Sequence, residues 1–351
     1  MTFRLHALIA LVVLLFPSLS AGQQADARPA SGVANSAAVI VIRAGALIDG
    51  KSDTVKHDQL IVIRGNRIES VSDAGSAKIP PGATTIDLSR ATLLPGLIDS
   101  HTHIFLQGED PAQGGYDANI LKYPASLRAA RATVSVRRAL EQGFTTLRDV
   151  ETEGAGYGDV GIKEAIEDGY IPGPRLFVAT RAISTTGGYP LEGYAPELEM
   201  PKGAQIIDGP VEARKAAREQ LDHGADWIKV YMTHRSWVDK QGKLVSQPTL
   251  TTEELKAVTD ETHGQQKKVA CHAYSGIGLH RALDGGCDSI EHGLALDDAA
   301  IAQMLKQGTW YVPTLTAYYL DWARRILQTA SATVSARQNM RSHLRRPSKP
   351  A

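Results

Sequence analysis

The sequence predicts an α/β chain built as a (β/α)8 TIM barrel behind a small N-terminal β domain. Three observations predict it: short alternating β runs up to about Asp87, regular strand–helix alternation from Leu93 onward, and seven strand candidates in one uninterrupted series. Alternation of this kind pairs parallel strands with crossover helices. Seven in series fit a barrel better than an open doubly wound sheet, although periodicity alone is compatible with both. At 351 residues there is room for a barrel and one small accessory domain.

The chain opens on Arg4, an apolar run from Ala7 to Phe16, and Pro17-Ser18-Leu19-Ser20-Ala21-Gly22. A basic start, a short apolar core and small residues make residues 1–22 a secretory signal peptide, with the mature chain starting between Ser20 and Asp26. The expected location is therefore secreted or periplasmic. An uncleaved anchor is the competing reading, but the run is shorter than the roughly 20 residues a spanning helix needs. Residues 23–37, rich in Gln, Ala, Ser, Gly and Pro, form a flexible lead-in.

Residues 38–92 are expected as a small, sandwich-like β domain with runs at Ala38–Arg43, Gln59–Arg64 and Arg67–Val71. Arg64-Gly65-Asn66-Arg67 reads as a tight hairpin connection. Residues 93–330 carry the barrel. Its strand candidates are Leu93–Asp99, Phe144–Val150, Arg175–Thr180, Trp227–Met232, Val269–Ala273, Ser289–His292 and Trp310–Pro313. Helical patterns separate them at Ala125–Gln142, Gly161–Asp168, Pro210–His223, Thr252–Gln266, Ile277–Asp284 and Asp297–Lys306. Thr251 and Thr252 before Glu253-Glu254 form a good helix start. Residues 331–351 are a basic tail without an acid.

Lys+Arg and Asp+Glu balance at 38 each, so nothing argues for nucleic acid or an anionic membrane as the partner. A small-molecule substrate is the expected partner; a homo-oligomer is left open. Cys271 and Cys287 are expected as two small buried residues rather than a disulfide.

The chemistry begins at Leu94-Pro95-Gly96-Leu97-Ile98-Asp99-Ser100-His101-Thr102-His103. Period two puts both imidazoles of His-x-His on one face, at the strand end where barrels build their active sites. Two such rings can chelate a divalent metal, though a lone His-x-His also fits surface histidines. Asp226-Trp227-Ile228-Lys229-Val230-Tyr231 sets a lysine inside an apolar run. Burial there drives an ammonium toward its neutral, nucleophilic form, unless the stem is buried and the head reaches solvent. Tyr231 shares the face of Lys229, able to hydrogen-bond a substrate carbonyl or simply to pack a barrel layer. His272 and His292 close two further strands, the latter followed by Gly293. His223, His263 and His280 read as solvated, and His234 as a loop residue. Gly156-Tyr157-Gly158-Asp159-Val160-Gly161 satisfies G-x-G-x-x-G, but the next strand ends in Thr180-Arg181 without the acid a dinucleotide ribose requires. It is taken as a flexible loop over the barrel mouth.

Pro95-Gly96-Leu97-Ile98-Asp99-Ser100-His101-Thr102-His103 resembles the first-strand signature of the amidohydrolase superfamily. The resemblance implies a metal-dependent-hydrolase barrel holding one or two divalent ions, Zn2+ foremost. Its ligands would be His101, His103, Lys229 as a bridging carboxylated lysine, His272 and His292. Gly173-Pro174-Arg175-Leu176 and Ile228-Lys229-Val230-Tyr231 are similar to the imidazolonepropionase-like and Xaa-Pro dipeptidase-like group. The implied activity is amide or other C–N hydrolysis of a dipeptide or N-acyl amino acid; a cyclic-amide hydrolase is the alternative. The family's strand 8 aspartate, a ligand and proton shuttle, has no counterpart, and no eighth strand is visible; Asp298 and Asp321 are the remaining acids for that role. The chain therefore reads as seven-eighths of a barrel with an unrelated tail, a truncated or frame-shifted product whose competing reading is an inactive metal-binding fragment.

Overall fold

A computed structural model describes residues 38–106, 108, 114–189, 191 and 193–318. The expected leader, the lead-in, Asp321 and the basic tail lie outside the described residues. The chain divides into two compact units at Leu94/Pro95.

The first unit holds β1 (Val39–Leu47), β2 (Lys56–Arg64), β3 (Arg67–Asp73) and β4 (Thr84–Leu93), ordered β3-β2-β1-β4. β1 runs antiparallel to β2 and parallel to β4. Among the described residues this is one mixed sheet, not the sandwich expected from sequence. The physical reason is in the side chains: Val41, Leu60 and Val62 make a small core, while β3 and most of β4 are exposed on both faces. β4 itself was missed, because its Thr-Asp-Ser-Arg content hides the alternation. Gly45 is required where β1 shifts register against β4, since a Cβ there would stand 2.1 Å from the Ser89 carbonyl oxygen.

The second unit runs β5 (Leu97–Thr102), α1 (Gly115–Leu121), α2 (Ala125–Glu141), β6 (Phe144–Asp149), α3 (Gly158–Glu167), β7 (Arg175–Val178), β8 (Ile183–Ser184), β9 (Gln205–Ile206) and α4 (Pro210–Asp222). It continues with β10 (Trp227–Tyr231), β11 (Thr233–Val238), β12 (Leu244–Pro248), α5 (Thr252–Gly264), β13 (Lys268–Ala273), α6 (Gly276–Asp284), β14 (Ser289–His292), α7 (Asp298–Gln307) and β15 (Trp310–Val312). β5-β6-β7 form one parallel sheet, and β15-β14-β13-β10-β8-β9 another. A backbone bond from Asp226 to the Val178 carbonyl joins them beside β7 and β10. This is an α/β arrangement of parallel strands joined by crossover helices; ladder closure between β15 and β5, which the expected barrel requires, is not seen among the described residues.

α4 and α5 bury alanine and leucine faces on β10 and β13, giving the main core of Ile228, Val230, Leu255, Val269, Leu279 and Ile290. Thr251 caps α5 in a full capping box with Glu254, as its sequence predicts. A smaller core gathers Phe105, Ala132, Val136, Leu147 and Val178. The β11–β12 hairpin was missed because Arg235–Val238 is exposed and lacks apolar alternation, so His234 sits on a strand rather than in a loop. The glycine motif is not a free loop. Gly158 starts α3 against Phe105, where a Cβ would meet the ring at 2.6 Å.

The cysteines also depart from expectation: Cys271 and Cys287 are disulfide-bonded, with Cα atoms 6.1 Å apart. β13 and β14 are parallel neighbours, Cys271 opposite Ile290, and α6 returns the chain so that Cys287 enters β14 beside its partner. No helix among the described residues is long and apolar enough to cross a membrane.

Candidate metal centre

The carboxyl ends of β5, β6, β10, β13 and β14 surround a cavity of about 470 Å³ lined in part by His103, Glu153, Lys229, Tyr231, His272 and His292. The histidine rings converge: His101 and His103 have centroids 5.2 Å apart, His101 and His292 4.8 Å, and His272 and His292 4.4 Å. Lys229 is fully buried beneath them, its Nζ 5.4 Å from the centroid of the Tyr231 ring. All five residues singled out as ligands from the sequence are thus brought together.

Local backbone explains how. His101 and His103 share a face by period two. Period two would put Glu291 and His292 on opposite faces, but His292 takes φ 73°, in the left-handed region. That turn at the strand exit re-aims its ring toward His101 and His272. Gly293 follows at φ 49°, where a Cβ would strike Tyr311 at 2.6 Å. Two more non-glycine residues near the site, Glu153 and Thr314, also have positive φ. Conformations of this kind cost roughly 1–3 kcal/mol each and concentrate at functional sites.

The rings are held through one nitrogen. His101 Nδ1 lies 2.7 Å from Glu291 Oε2, His103 Nδ1 3.3 Å from the Glu151 carbonyl, and His292 Nδ1 2.7 Å from Thr314 Oγ1. Each bond commits Nδ1 and leaves Nε2 for a second partner. Burial pushes the pKa values of His101, His272 and His292 well below the usual imidazole value; His103 is also lowered by burial, against the pull of Glu153. Burial likewise lowers Lys229, opposed by the carboxylates of Glu291, Glu151 and Glu153. These are the protonation states a cation needs: neutral imidazoles and an amine moved toward neutrality.

Sequence reasoning missed four charged residues here. Glu151 and Glu153 follow β6, and with His103 they present ligand atoms within 4.8 Å of one another. Glu151 accepts the Tyr231 hydroxyl at 2.5 Å; burial and then the Glu153 charge push its pKa well up. The donor of Tyr231 is therefore already engaged. Glu153 accepts from Tyr116 at 2.7 Å and Tyr189 at 3.0 Å. It is a cavity carboxylate that Asp298, in the first turn of α7, is not. Arg148 and Glu291 lie below, at 7% and 0% exposure. The signal was available, since charges inside apolar strands are what drew attention to Lys229.

The donor set fits a divalent cation. Lys229 Nζ, His272 Nε2 and Glu151 Oε1 are buried without a hydrogen-bond partner. Such atoms are costly unless something satisfies them.

The model of the amidohydrolase family matches residues 92–348, which includes most of the stretch read as an unrelated tail. Ochratoxinase of Aspergillus niger is 30% identical over 293 residues, 79% of this chain and 59% of that protein. The chain thus spans under two thirds of that relative. The crystal structure of a Xaa-Pro dipeptidase with methionine in its active site is 35% identical, with a TM-score of 0.72 over 82% of this chain and 70% of that one. A prolidase complexed with N-methylphosphonate-L-proline is 30% identical, with a TM-score of 0.68 over 79% and 66%. Imidazolonepropionase of Streptomyces coelicolor is 25% identical over 87% of this chain and 76% of that one. On the fold, the strand-end histidines and the family match, this chain belongs to the amidohydrolase family.

Proposed function

We propose that the site hydrolyses an amide or related C–N bond of a small substrate, a dipeptide or an N-acyl amino acid, at one or two divalent cations, Zn2+ foremost. The observation that carries the reading is the convergence of His101, His103, His272 and His292 over the buried, unpartnered Lys229. A cation held by these residues would lower the pKa of bound water toward neutrality and polarise a carbonyl oxygen. The chain's own groups do the rest. The imidazoles stay neutral because burial disfavours their charge. The Lys229 amine, once neutral, adds CO2 and releases a proton, giving a two-oxygen carbamate able to bridge. Tyr231 holds the Glu151 carboxyl, and Glu153 faces the cavity between two tyrosine hydroxyls, placed to exchange a proton with a substrate nitrogen. The Cys271–Cys287 bond suits an oxidising compartment, in keeping with export.

The test is to strip the purified full chain of metal, reload it with Zn2+, and assay dipeptides, N-acyl amino acids and a cyclic amide. Zinc-dependent release of amino acid is the expected result. Equal turnover in chelated protein would refute the metal reading, and cyclic-amide turnover alone would favour the alternative activity.

A further inference from the structure

Glu291 is fully buried on β14, and a carboxylate there is costly without strong partners. It has three. Its Oε1 accepts from Arg148 Nη2 at 2.6 Å and from Ser289 Oγ at 2.6 Å, and its Oε2 lies 2.7 Å from His101 Nδ1. Arg148 is itself anchored, donating to the Ser100 carbonyl at 2.7 Å and to Ser289 Oγ at 3.1 Å. Its guanidinium carbon lies 4.4 Å from the centroid of the Trp227 ring. The unit thus ties β5, β6 and β14 together through side chains.

Hydrogen-bond chemistry dictates the consequence. A carboxylate paired with arginine only accepts, so His101 must donate its single N–H through Nδ1, and Nε2 must carry the lone pair. His292 is held by a hydroxyl, and His103 Nδ1 by the Glu151 carbonyl at 3.3 Å with the Glu153 carboxylate 3.5 Å away; the His101 contact, 2.7 Å to a fully buried carboxylate, is the shorter of the two to a charge.

We propose that Glu291, clamped by Arg148, is the positioning residue of His101, fixing the tautomer whose Nε2 binds a divalent cation and so setting how tightly the site retains it. This rests on the metal reading above. It also makes a chemical prediction specific to glutamine. In Glu291→Gln the amide oxygen must satisfy Arg148 and Ser289, which turns the amide N–H toward His101 Nδ1. The ring then carries its proton on Nε2 and cannot ligate. Carboxylates that hydrogen-bond a ligating histidine contribute about 10- to 100-fold in metal affinity.

The experiment uses the full chain, histidine-labelled with 15N, as wild type, as Glu291→Gln and as the charge-balanced pair Arg148→Met with Glu291→Leu, which removes the bond to His101 altogether. Zinc affinity is read by competition with a chromophoric chelator, and the His101 tautomer by NMR of metal-free protein. Expected are the Nδ1–H form in wild type, the Nε2–H form in Glu291→Gln, and zinc binding weaker by about 10- to 100-fold. The double variant leaves no lone buried charge and keeps the question open to test if the single one fails to fold. Wild-type zinc affinity in a folded variant, with only the melting temperature lowered, would make Glu291 merely structural and overturn the proposal. A wild type that binds no zinc sinks the metal reading instead. The tautomer still judges the Glu291–His101 bond in that case, Nε2–H in wild type counting against it.

Discussion

Reducing the Cys271–Cys287 disulfide should destabilise the second unit measurably while leaving the metal-site strands paired. The bond closes a loop with a sequence separation of 16, and the chain-entropy relation for such a loop gives about 3 kcal/mol at 25 °C. That is on the order of 10² in the folding equilibrium. For a unit of this size it corresponds to roughly 6–12 °C in melting temperature. Its position matters: Cys271 immediately precedes His272, and Cys287 leads into the strand that ends in His292. The β13–β14 ladder itself, Ala270 opposite Ser289 through Ala273 opposite His292, does not depend on sulfur. Thermal unfolding of oxidised and phosphine-reduced chain, with thiols counted under denaturing conditions, measures the effect. Two titratable thiols in the unreduced protein, or a melting temperature that stays within 1–2 °C (about 0.5 kcal/mol) after full reduction, would refute the reasoning.

Lys229→Arg should lose bound metal, because a guanidinium stays protonated and takes up no CO2; Lys229→Ala should regain metal when a short carboxylic acid is supplied. Full metal content in Lys229→Arg would end the bridging role. In Lys229→Ala loaded with a short carboxylic acid, where no carbamate proton is released, zinc affinity should be nearly flat from pH 7.5 to 6.5, because burial holds all four imidazoles below their ordinary value. The sign follows from competition: protons displace metal only as pH falls through the lowered folded-state values, whereas four unperturbed histidines, half protonated at pH 6.5, would already lose roughly tenfold across that window. A loss of that size in a chelator titration would show the rings to be ordinary. Zinc at about 100 times its dissociation constant should stabilise the chain by roughly 2.7 kcal/mol, seen as a rise in melting temperature that Lys229→Arg does not show.

Much of the candidate site was legible because four of the expected ligands are histidines at or just past strand ends, and the fifth, Lys229, is a charge inside an apolar run. Lys229, His272 and His292 were readable one strand at a time, and β10, β13 and β14 fall within a residue or two of their predicted bounds. The disulfide was not legible, because it depends on α6 returning the chain to the neighbouring strand. His292 was read at the right position for an incomplete reason, since only its left-handed φ brings it to the face of Glu291. The β11–β12 hairpin and β4 were hidden by exposure on both faces, which erases the alternation that sequence reading relies on. Arg148 and Glu291 could have been found by the reasoning applied to Lys229, a charge inside an apolar strand, but their pairing joins residues 143 apart.

The polarity of the interior is itself an argument about function. Barrel strands usually fill their inside with branched apolar layers. Here β6, β10, β13 and β14 bury Arg148, Lys229, His272 and Glu291. Replacing a buried ion pair by apolar residues of similar size is often neutral or stabilising, so stability alone gives no reason to retain these groups. Arg148 and Glu291 satisfy each other, and Tyr231 satisfies one oxygen of Glu151. Three of the buried atoms left without a hydrogen-bond partner lie at the candidate site: the Lys229 amine, His272 Nε2 and Glu151 Oε1. Arg148, Glu291, His101 and Tyr231 close bonds of 2.5–2.7 Å, yet these three atoms stay open beside four imidazoles that burial pushes toward their neutral form, which is the donor set a divalent cation requires.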